Sequence, residues 1–535
     1  MTKHVPNRLL LLVVLASMLI SLCACGGDTA KDGNQSPAPS SSGSEPVSQS
    51  PDSTGTAATN EPSDGGSVTV GISQELDSLD PHKAVSAGSE EVLFNVFEGL
   101  MKPSPDGEVV PALASDYSIS DDGLTYTFTL REGVTFHNGE PVTVKDVLYS
   151  LERCAGSEND GTPLISAFSA VSGFDAPDDS HVTVTLNTPG LEFIYSMTAA
   201  IIPEGSGDAQ ATDPVGTGPF QFVSYTPLES LVVKKYDGYW GEAAHLDQVT
   251  FRIFQSGDTM VMSLKSGGVD MAIHVPNTQA GELTGFTIEA DTMKLVQALY
   301  LNNQEKPFDD VRVRQALCYA IDVQQIIDLV CDGHGVATGS SMYPAFTRYF
   351  MPELAEAYPT DGSTAKQLLA DAGYPDGFEM DITVPSNYPQ HVQTAEVIAD
   401  QLKAIGVTVS IVPVDWDTWV TDVYRGRQFQ STVCGIAASD MTAREMLLRY
   451  CSDNSKDFIN FSDPEYDEVV AQAMATLDSD EQTRFYRRAE EILSEQAASV
   501  WIQDLCDLAV LRSGLEGMTF YRTYVLDMSC IQMVG

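Results

Sequence analysis

Positive charge is scarce in this chain. Lysine and arginine together number 29, against 75 aspartate and glutamate residues, and the formal net charge over 535 residues is −46. Binding to nucleic acid needs clustered Lys and Arg side chains that contact phosphates, so this composition argues against a nucleic-acid partner. An acidic chain attracts cationic ligands through its long-range field. A solvated acidic surface with no role in binding is the simpler interpretation.

Sequence signatures of catalysis are also missing. Neither a G-x-S-x-G elbow, nor a G-x-x-x-x-G-K-[ST] loop, nor an H-E-x-x-H pair occurs. No two of the eight histidines have metal-ligand spacing on one helix, and no C-x-x-C pair occurs among the nine cysteines. Gly216-Thr217-Gly218-Pro219 lacks the third glycine of a dinucleotide fingerprint. We therefore predict no catalytic residue, no metal site and no cofactor, and an exported hydrolase is only a remote alternative.

Long apolar runs are absent beyond the first 22 residues. Residues 9–22 form an apolar run behind a basic head, and the run is shorter than the roughly 20 residues that a membrane-spanning helix needs. It is typical of the apolar region of a signal peptide. Leu22-Cys23-Ala24-Cys25 resembles a lipobox, in which the cysteine is lipidated and becomes the new N-terminus. We predict that residues 1–25 are a lipoprotein signal peptide with Cys25 as the lipidated residue; an ordinary cleaved signal is the alternative.

The segment that follows contains almost no large apolar residue. Residues 26–66 are nearly all small or polar, with Val47 as the exception. Such a segment cannot bury enough surface to offset its ordering entropy, so we predict a disordered Gly/Ser/Pro tether. Together with Cys25, it predicts a protein outside the cytoplasm, anchored by lipid to the outer face of the cell membrane. That face is in a periplasmic space or on the cell-wall side.

Seven further cysteines lie downstream of the predicted anchor. Seven is an odd number, and their pairing cannot be deduced from the sequence. We expect most of them to be buried free thiols that pack as small apolar residues. They are Cys154, Cys318, Cys331, Cys434, Cys451, Cys506 and Cys530.

The remaining chain has the patterns of a mixed fold. It is too long for one core of usual size, so more than one sub-domain is expected. Alternating apolar residues predict strands at 68–72, 126–130, 181–186, 231–235, 249–254, 378–384 and 407–414. Apolar residues at helical spacing predict helices at 144–153, 311–330, 364–372, 393–405 and 481–496. The first third is rich in β-strands and the rest alternates strands with helices, which indicates an α/β fold with more than one lobe.

Several motifs in a fixed order connect the chain to a known family. They are Leu79-Asp80-Pro81-His82, residues 93–100, residues 121–131, residues 134–147, Gly216-Thr217-Gly218-Pro219-Phe220, Tyr239-Trp240-Gly241, residues 307–317 and Ala320-Ile321-Asp322. In these motifs the chain resembles the extracellular solute-binding proteins of the peptide/nickel class, family 5, which serve ABC importers. The resemblance extends over nearly all of residues 67–535.

This resemblance implies a two-lobed, periplasmic-binding-protein-like fold with an extra inserted domain. The expected bounds are 67–97, 214–300 and 505–535 for lobe I, 98–213 for the inserted domain and 301–504 for lobe II. The implied function is that of a lipid-anchored, monomeric substrate-binding protein without enzymatic activity. It captures an oligopeptide or a related small solute between the lobes and delivers it to the permease subunits of an ABC transporter.

The resemblance also implies ligand contacts, because peptides in this family are held as an added β-strand. One contacting strand is expected at 84–88, with Val85, Ser86 and Ala87 as ligand-binding residues. The other is expected at 434–440, with these ligand-binding residues: Gly435, Ile436, Ala437, Ser439 and Asp440. Tyr343 falls in a loop region that often contributes to the cleft.

The second of these segments departs from the family pattern. Peptide binders typically have Gly-Trp-x-x-Asp there, and the aspartate pairs with the ligand's α-ammonium group. Here Ile436 replaces the tryptophan, and Ser439 takes the aspartate's place unless a slip of one residue brings in Asp440. Trp416 and Trp419, which follow the predicted strand 407–414, are candidates to cover a ligand or to pack in the core. An oligopeptide is therefore the first expectation; a nickel chelate, glutathione or another non-peptide solute is the alternative.

Overall fold

A computed structural model describes residues 62–73, 76–438 and 442–534 of the chain. The predicted signal peptide, Cys25 and nearly all of the tether lie outside the described residues, as do Ser439 and Asp440. The described residues belong to one compact unit that begins at Ala58. In these ranges, no helix has the length and apolar character needed to cross a bilayer.

The largest sheet in the described part of the chain has seven strands, and we call the region around it lobe I. Side by side, the strands are Phe286–Thr292, Cys506–Arg512, Met271–Ala272, Ser67–Ile72, Gln248–Ile253, Ser230–Lys235 and Phe220–Thr226. Ser67–Ile72 is parallel to both of its neighbours. Its apolar side chains Val68, Val70 and Ile72 are buried, as period-two alternation predicts.

Three helices and a small sheet complete this lobe. The helices are Ala87–Leu93, Gly257–Lys265 and Asn277–Ala280. The small sheet joins Pro62–Ser63, Gln532–Val534 and Leu515–Glu516. The tether predicted at 26–66 is therefore wrong at its end, because residues 62–63 form a strand and the Gly65 and Gly66 amides donate to the His245 carbonyl and to Asp247 Oδ2.

A four-stranded antiparallel sheet lies within residues 98–213, and we call this region the small domain. Its strands, in spatial order, are Ala114–Ile119, Thr125–Leu130, His181–Leu186 and Val171–Asp178. The alternation predicted at 126–130 is observed, with Tyr126 and Phe128 fully buried. Its other elements are the strand pair Met101–Pro103 and Val109–Pro111, the helix Val144–Cys154 and the 3₁₀ helices Ser166–Ala170 and Leu191–Thr198.

A six-stranded sheet forms the centre of the region that we call lobe II. In the described residues its strands, in spatial order, are Val336–Ala337, Ser499–Asp504, Val296–Leu301, Ser431–Ile436, Glu379–Pro385 and Thr408–Val414. Glu379–Pro385 is parallel to both of its neighbours.

Helices cover this second sheet. The α-helices are Val311–Ala320, Val323–Cys331, Gly362–Asp371, Pro389–Leu402, Trp416–Thr418, Ala443–Leu448, Pro464–Ala475 and Ser479–Glu495. Shorter turns are the 3₁₀ helices Pro352–Glu356 and Lys403–Ile405 and the π-helical turn Trp419–Arg425.

The helix predicted at 311–330 is two helices. Ile321 is extended, and Asp322 begins the second helix as its N-cap, where its side chain accepts a hydrogen bond from the Gln325 amide at 3.0 Å. An aspartate in the middle of an apolar pattern therefore marks a helix start rather than a polar position on one long helix.

The chain crosses between the two large sheets at 293–295 and at Leu505. The two crossings are tied together, because the Met293 amide donates to the Leu505 carbonyl at 2.7 Å. Strand Val296–Leu301 pairs with Ser431–Ile436 in the second sheet, so the sequence-based boundary at 300/301 lies one strand too late. All six residues of this strand are buried, so its sequence does not alternate between apolar and polar residues. The sequence therefore offers no sign that the strand belongs to the sheet of lobe II rather than to that of lobe I.

Lobe II also meets the small domain. The Tyr486 hydroxyl donates to Glu192 Oε2 at 3.2 Å. A Cβ atom added to Gly123 would lie 2.7 Å from Leu477 Cδ2. Lobe II and the small domain are therefore in direct contact.

Candidate ligand-binding cleft

A cavity of about 160 Å³ lies beside the crossings between the lobes. Its wall consists of Ala87, Glu91, Ile273, His274, residues 293–295, residues 507–509, Met518, Phe520, Tyr521 and residues 523–526. Ile273 and His274 directly follow Met271–Ala272, at the carboxyl end of parallel strands. In α/β sheets this edge is where ligands usually bind. The cavity holds roughly five water molecules at about 30 Å³ each, which is room for a small group rather than a long ligand.

The second sheet reaches the same place. Leu295 lines the cavity and precedes Val296, which pairs with Ile436 at the carboxyl end of Ser431–Ile436. A Cβ atom on Gly435 would lie 2.8 Å from Leu295 Cδ1, so these two residues are in close contact. The cavity wall thus comes from lobe I and from the crossing residues 293–295, and the second sheet approaches it through Leu295.

One imidazole ring links two acidic side chains of the cavity wall. His274 Nδ1 lies 2.9 Å from Asp507 Oδ1, and its Nε2 lies 3.0 Å from Glu91 Oε1. Burial lowers the pKa of His274, but the two carboxylate charges outweigh this effect and hold the pKa well above its usual value. The ring is therefore an imidazolium that donates from both nitrogens, and it neutralises part of the acidic wall.

Lys294 is the second cation of the wall. Its ammonium group is buried and donates to Asp291 Oδ2 at 3.0 Å and to the Thr292 carbonyl at 2.5 Å. Both His274 and Lys294 have positive φ angles, 54° and 60°, which are uncommon outside glycine. Strained backbone of this kind persists only where the surrounding contacts fix it, and it often occurs at ligand sites.

Glu90 differs from the other acidic residues near the cavity. Its side chain is exposed to solvent. Partial loss of hydration next to the protein surface, followed by the charges of Asp77 and Glu91, nevertheless raises its pKa to about 7. Glu90 is in helix Ala87–Leu93, between the wall residues Ala87 and Glu91, and is not itself part of the cavity wall. In the described part of the chain, no Lys, Arg or His side chain forms an ion pair with Glu90.

Two tyrosines connect the lobes across the cleft. Burial and then the charges of Glu90, Glu91 and Asp504 raise the pKa of Tyr524 to about 12. Tyr343, in lobe II, is buried, and burial followed by the nearby Tyr524 raises its pKa. Its hydroxyl oxygen accepts a hydrogen bond from the Ala438 amide at 3.5 Å. The loop residue Tyr343 thus contacts Ala438, which directly follows the predicted binding residue Ala437.

The strand predicted at 84–88 is wrong. The Asp77 carboxylate accepts hydrogen bonds from the Val85 and Ser86 amides, and Ser86 is the N-cap of helix Ala87–Leu93. These capping bonds stabilise a helix start instead of an edge strand. Val85 is 81% exposed, whereas Ala87 lines the cavity.

The second predicted segment is partly a strand, Ser431–Ile436, and Ala437 follows it. The Gly435 amide donates to His391 Nε2 at 3.2 Å, and the Ala438 amide donates to Tyr343. Burial lowers the pKa of His391 to about 3, so its ring is neutral and accepts this bond. Two main-chain donors of the segment are therefore already bonded to side chains of the protein.

The two predicted tryptophans have different environments. Their rings stack 5.1 Å apart. Trp419 is 3% exposed and its indole N–H donates to Thr432 Oγ1 at 2.9 Å, so it belongs to the core of lobe II. Trp416 is 41% exposed and packs on Tyr388 at 5.3 Å. Of the pair, Trp416 has the surface that a ligand could contact.

The acidic and basic residues of the cavity were not found from the sequence. Glu90, Glu91, His274, Lys294 and Asp507 come from segments far apart in the chain, and they match no spacing motif. The acidic composition of the chain was the one sequence feature that pointed to acidic side chains at the binding site. Across residues 62–73, 76–438 and 442–534, no group of three or more His, Cys, Asp or Glu side chains is placed to hold a metal ion.

Two lobes joined by paired crossings, a small domain and a cleft at strand ends define a two-lobed solute-binding protein. The chain belongs to the bacterial extracellular solute-binding proteins of family 5: the family described as "Bacterial extracellular solute-binding proteins, family 5 Middle" matches residues 108–458. It is a substrate-binding protein of the ABC-transporter class, and family 5 proteins work outside the cytoplasm.

Named relatives agree with this placement. The glutathione-binding protein GsiB of Salmonella typhimurium is 30% identical over 457 residues, covering 81% of this chain and 88% of GsiB. The structure of the ABC-transporter substrate-binding protein CtaP of Listeria monocytogenes has a TM-score of 0.78 at 22% identity, covering 88% of this chain and 99% of CtaP. DppA of Helicobacter pylori, in complex with the peptide STSA, has a TM-score of 0.69 at 24% identity, covering 88% and 99%. The two structures show that the fold is shared.

Proposed function

We propose that this protein binds a short peptide, or a related small solute with an ammonium group, in the cleft and delivers it to an ABC permease. The observation that carries the proposal is Glu90. Its side chain is exposed, on the helix that carries the wall residues Ala87 and Glu91, and its charge acts on the wall residue Tyr524, whereas Glu91 and Asp507 already share the imidazolium of His274. An ammonium group of the ligand supplies the positive partner that Glu90 lacks among the described residues.

This assignment differs from the family expectation for the ammonium partner. The aspartate that peptide binders carry is replaced or displaced here, and Ser439 and Asp440 lie outside the described residues. Glu90, in lobe I, takes over that role in our proposal. The cavity of about 160 Å³ has room for one small group of such a ligand.

Glutathione, as bound by GsiB, belongs to the same chemical class. It is a tripeptide with one ammonium group and two carboxylates, so Glu90 would receive its ammonium group in the same way. A nickel chelate is the remaining non-peptide alternative. In each case we propose that the protein performs no covalent chemistry and acts as a monomer.

Closure follows from contacts in both lobes. A ligand that touches Glu90 in lobe I and the Tyr343 region in lobe II stabilises the closed arrangement by its differential affinity for it. We place the protein at the outer face of the cell membrane, with Cys25 lipidated and residues 26–61 as the tether.

Native mass spectrometry of residues 27–535, purified without refolding, tests the proposal. Co-purified peptides of a few residues, or glutathione, support it. A protein that arrives empty is then titrated calorimetrically with matched tripeptides whose N-termini are free or acetylated. Equal affinity for the two forms, or binding of neither, contradicts an ammonium-bearing ligand.

A further inference from the structure

Two buried thiols meet beside the lobe crossing. Cys331 is the last residue of helix Val323–Cys331 in lobe II, and Cys506 is the first residue of strand Cys506–Arg512 in lobe I. The Cys506 amide donates to Cys331 Sγ at 3.5 Å. Cys506 directly follows Leu505, where the chain crosses between the lobes.

Asn277 of lobe I holds this arrangement together. Its side-chain N–H group donates to the Val330 carbonyl at 3.1 Å and also to Cys506 Sγ. The end of the lobe II helix is thereby fixed against lobe I at the position of the two thiols. Because Asp332 then takes a left-handed conformation, with φ of 50°, the helix ends there and Cys331 is held at its terminus.

We propose that Cys331 and Cys506 are a redox site whose disulfide ties lobe II to lobe I at the crossing. A disulfide requires adjacent Cβ atoms and a sulfur–sulfur bond of about 2.05 Å. The Cys506 amide lies 3.5 Å from Cys331 Sγ and the two thiols are hydrogen-bonded, so they are direct neighbours. The bond would restrain the relative rotation of the lobes, because it adds a covalent link from the end of a lobe II helix to the residue that directly follows the crossing at Leu505.

Cys331 differs from the other cysteines, whereas the pKa of Cys506 is raised by its hydrogen bond to Cys331 and by burial. The hydrogen bond from Cys506 lowers the pKa of Cys331, although burial opposes the effect. Burial raises the pKa of Cys318 and Cys451 to about 12, and raises those of Cys154 and Cys434 as well. Since the thiolate is the reacting form, Cys331 is the expected nucleophile.

The oxidant is a small-molecule disulfide. The Cys331 thiolate attacks one sulfur of RSSR, forms a mixed disulfide and releases one RS⁻, which takes up a proton. The Cys506 thiol then loses its proton, attacks the Cys331 sulfur and releases the second RSH. Two protein thiols are oxidised to one disulfide, and one RSSR is reduced to two RSH.

The full chain, purified in detergent, is incubated with hydroxyethyl disulfide, and its peptides are mapped by mass spectrometry without reduction. We expect a peptide pair linked through Cys331 and Cys506, with the mass of the chain lower by two hydrogens. The C331S and C506S variants should lose this link, and the matched buried-cysteine control C318S should retain it.

Hydrogen exchange at the crossings provides a second measurement that does not depend on a ligand or on any variant. Oxidised wild-type protein should exchange amide hydrogens at 293–295 and 505 at least several-fold more slowly than reduced protein. Persistence of both thiols in the native chain, while the denatured chain oxidises, overturns the redox site. A disulfide that leaves exchange at the crossings unchanged overturns the proposed restraint.

Discussion

Replacing Glu90 with glutamine tests the proposed ammonium partner most directly. Glutamine keeps the size of the side chain and its ability to accept a hydrogen bond, and it removes the charge. A hydrogen bond to a charged group contributes about 1.5–3 kcal/mol. E90Q should therefore weaken binding of a ligand with a free N-terminus by roughly 10- to 150-fold.

The pH dependence makes this prediction more specific. Because the pKa of Glu90 is raised to about 7, the carboxylate is mostly protonated at pH 6 and mostly ionised at pH 8. An ammonium ligand binds the ionised form, and a peptide N-terminus with a pKa of about 8 is itself half deprotonated at pH 8, so wild-type affinity should rise about fivefold between these pH values. Binding below pH 7 should also release a proton. In E90Q both the rise in affinity and the proton release should disappear.

Isothermal titration calorimetry in buffers of different ionisation enthalpy measures affinity and proton release together. The matched control is E289Q, because Glu289 is an exposed glutamate of lobe I outside the cavity wall. E289Q should bind as the wild type does. Equal affinity of E90Q and wild-type protein for the free tripeptide would refute Glu90 as the ammonium partner.

Three further predictions concern stability and anchoring. G216A should lower the free energy of unfolding by about 2 kcal/mol or more, because the new Cβ would lie 2.1 Å from the Val96 carbonyl oxygen and overpack the site. Denaturant titrations measure this change, and G173A, which has open space around its new Cβ, is the control. Burial raises the pKa of Glu490 to about 7, so the free energy of unfolding should fall as pH rises from 4.5 to 7, by up to about 3 kcal/mol from this group. A flat profile, or one that E490Q does not flatten, would contradict this. C25A should move the protein to the soluble fraction in detergent-free lysates, and continued membrane association would count against the lipid anchor.

Local patterns predicted several elements because the packing follows directly from them. The strand at 407–414 is found as Thr408–Val414, and the helix at 364–372 is found as Gly362–Asp371. The Gly216-Thr217-Gly218-Pro219 motif, which is no dinucleotide fingerprint, is explained by close packing. Cβ atoms on either glycine would collide with the main chain at 95–96.

The cleft was harder to predict because its chemistry is assembled from distant segments. His274 meets Glu91 and Asp507 across 183 and 233 residues. The strand predicted at 84–88 does not form, because the Asp77 carboxylate, which lies outside the segment, accepts hydrogen bonds from the Val85 amide and the Ser86 hydroxyl. These bonds favour a helix start. Val296–Leu301 was assigned to the wrong lobe because a strand buried on both faces has no alternation to follow.

The small three-stranded sheet has a mechanical consequence. Its strand Pro62–Ser63 pairs with Gln532–Val534 through two residues only, Pro62 with Val534 and Ser63 with Met533. A force on the preceding segment, our proposed tether, acts first on this pair of strands. Behind it, the Gly66 amide is bonded to Asp247 Oδ2 at 2.8 Å, and Ser67–Ile72 is held between two parallel neighbours. The terminal pair can peel away under load while the central strand resists in shear, which would keep strain at the membrane side from reaching the cleft.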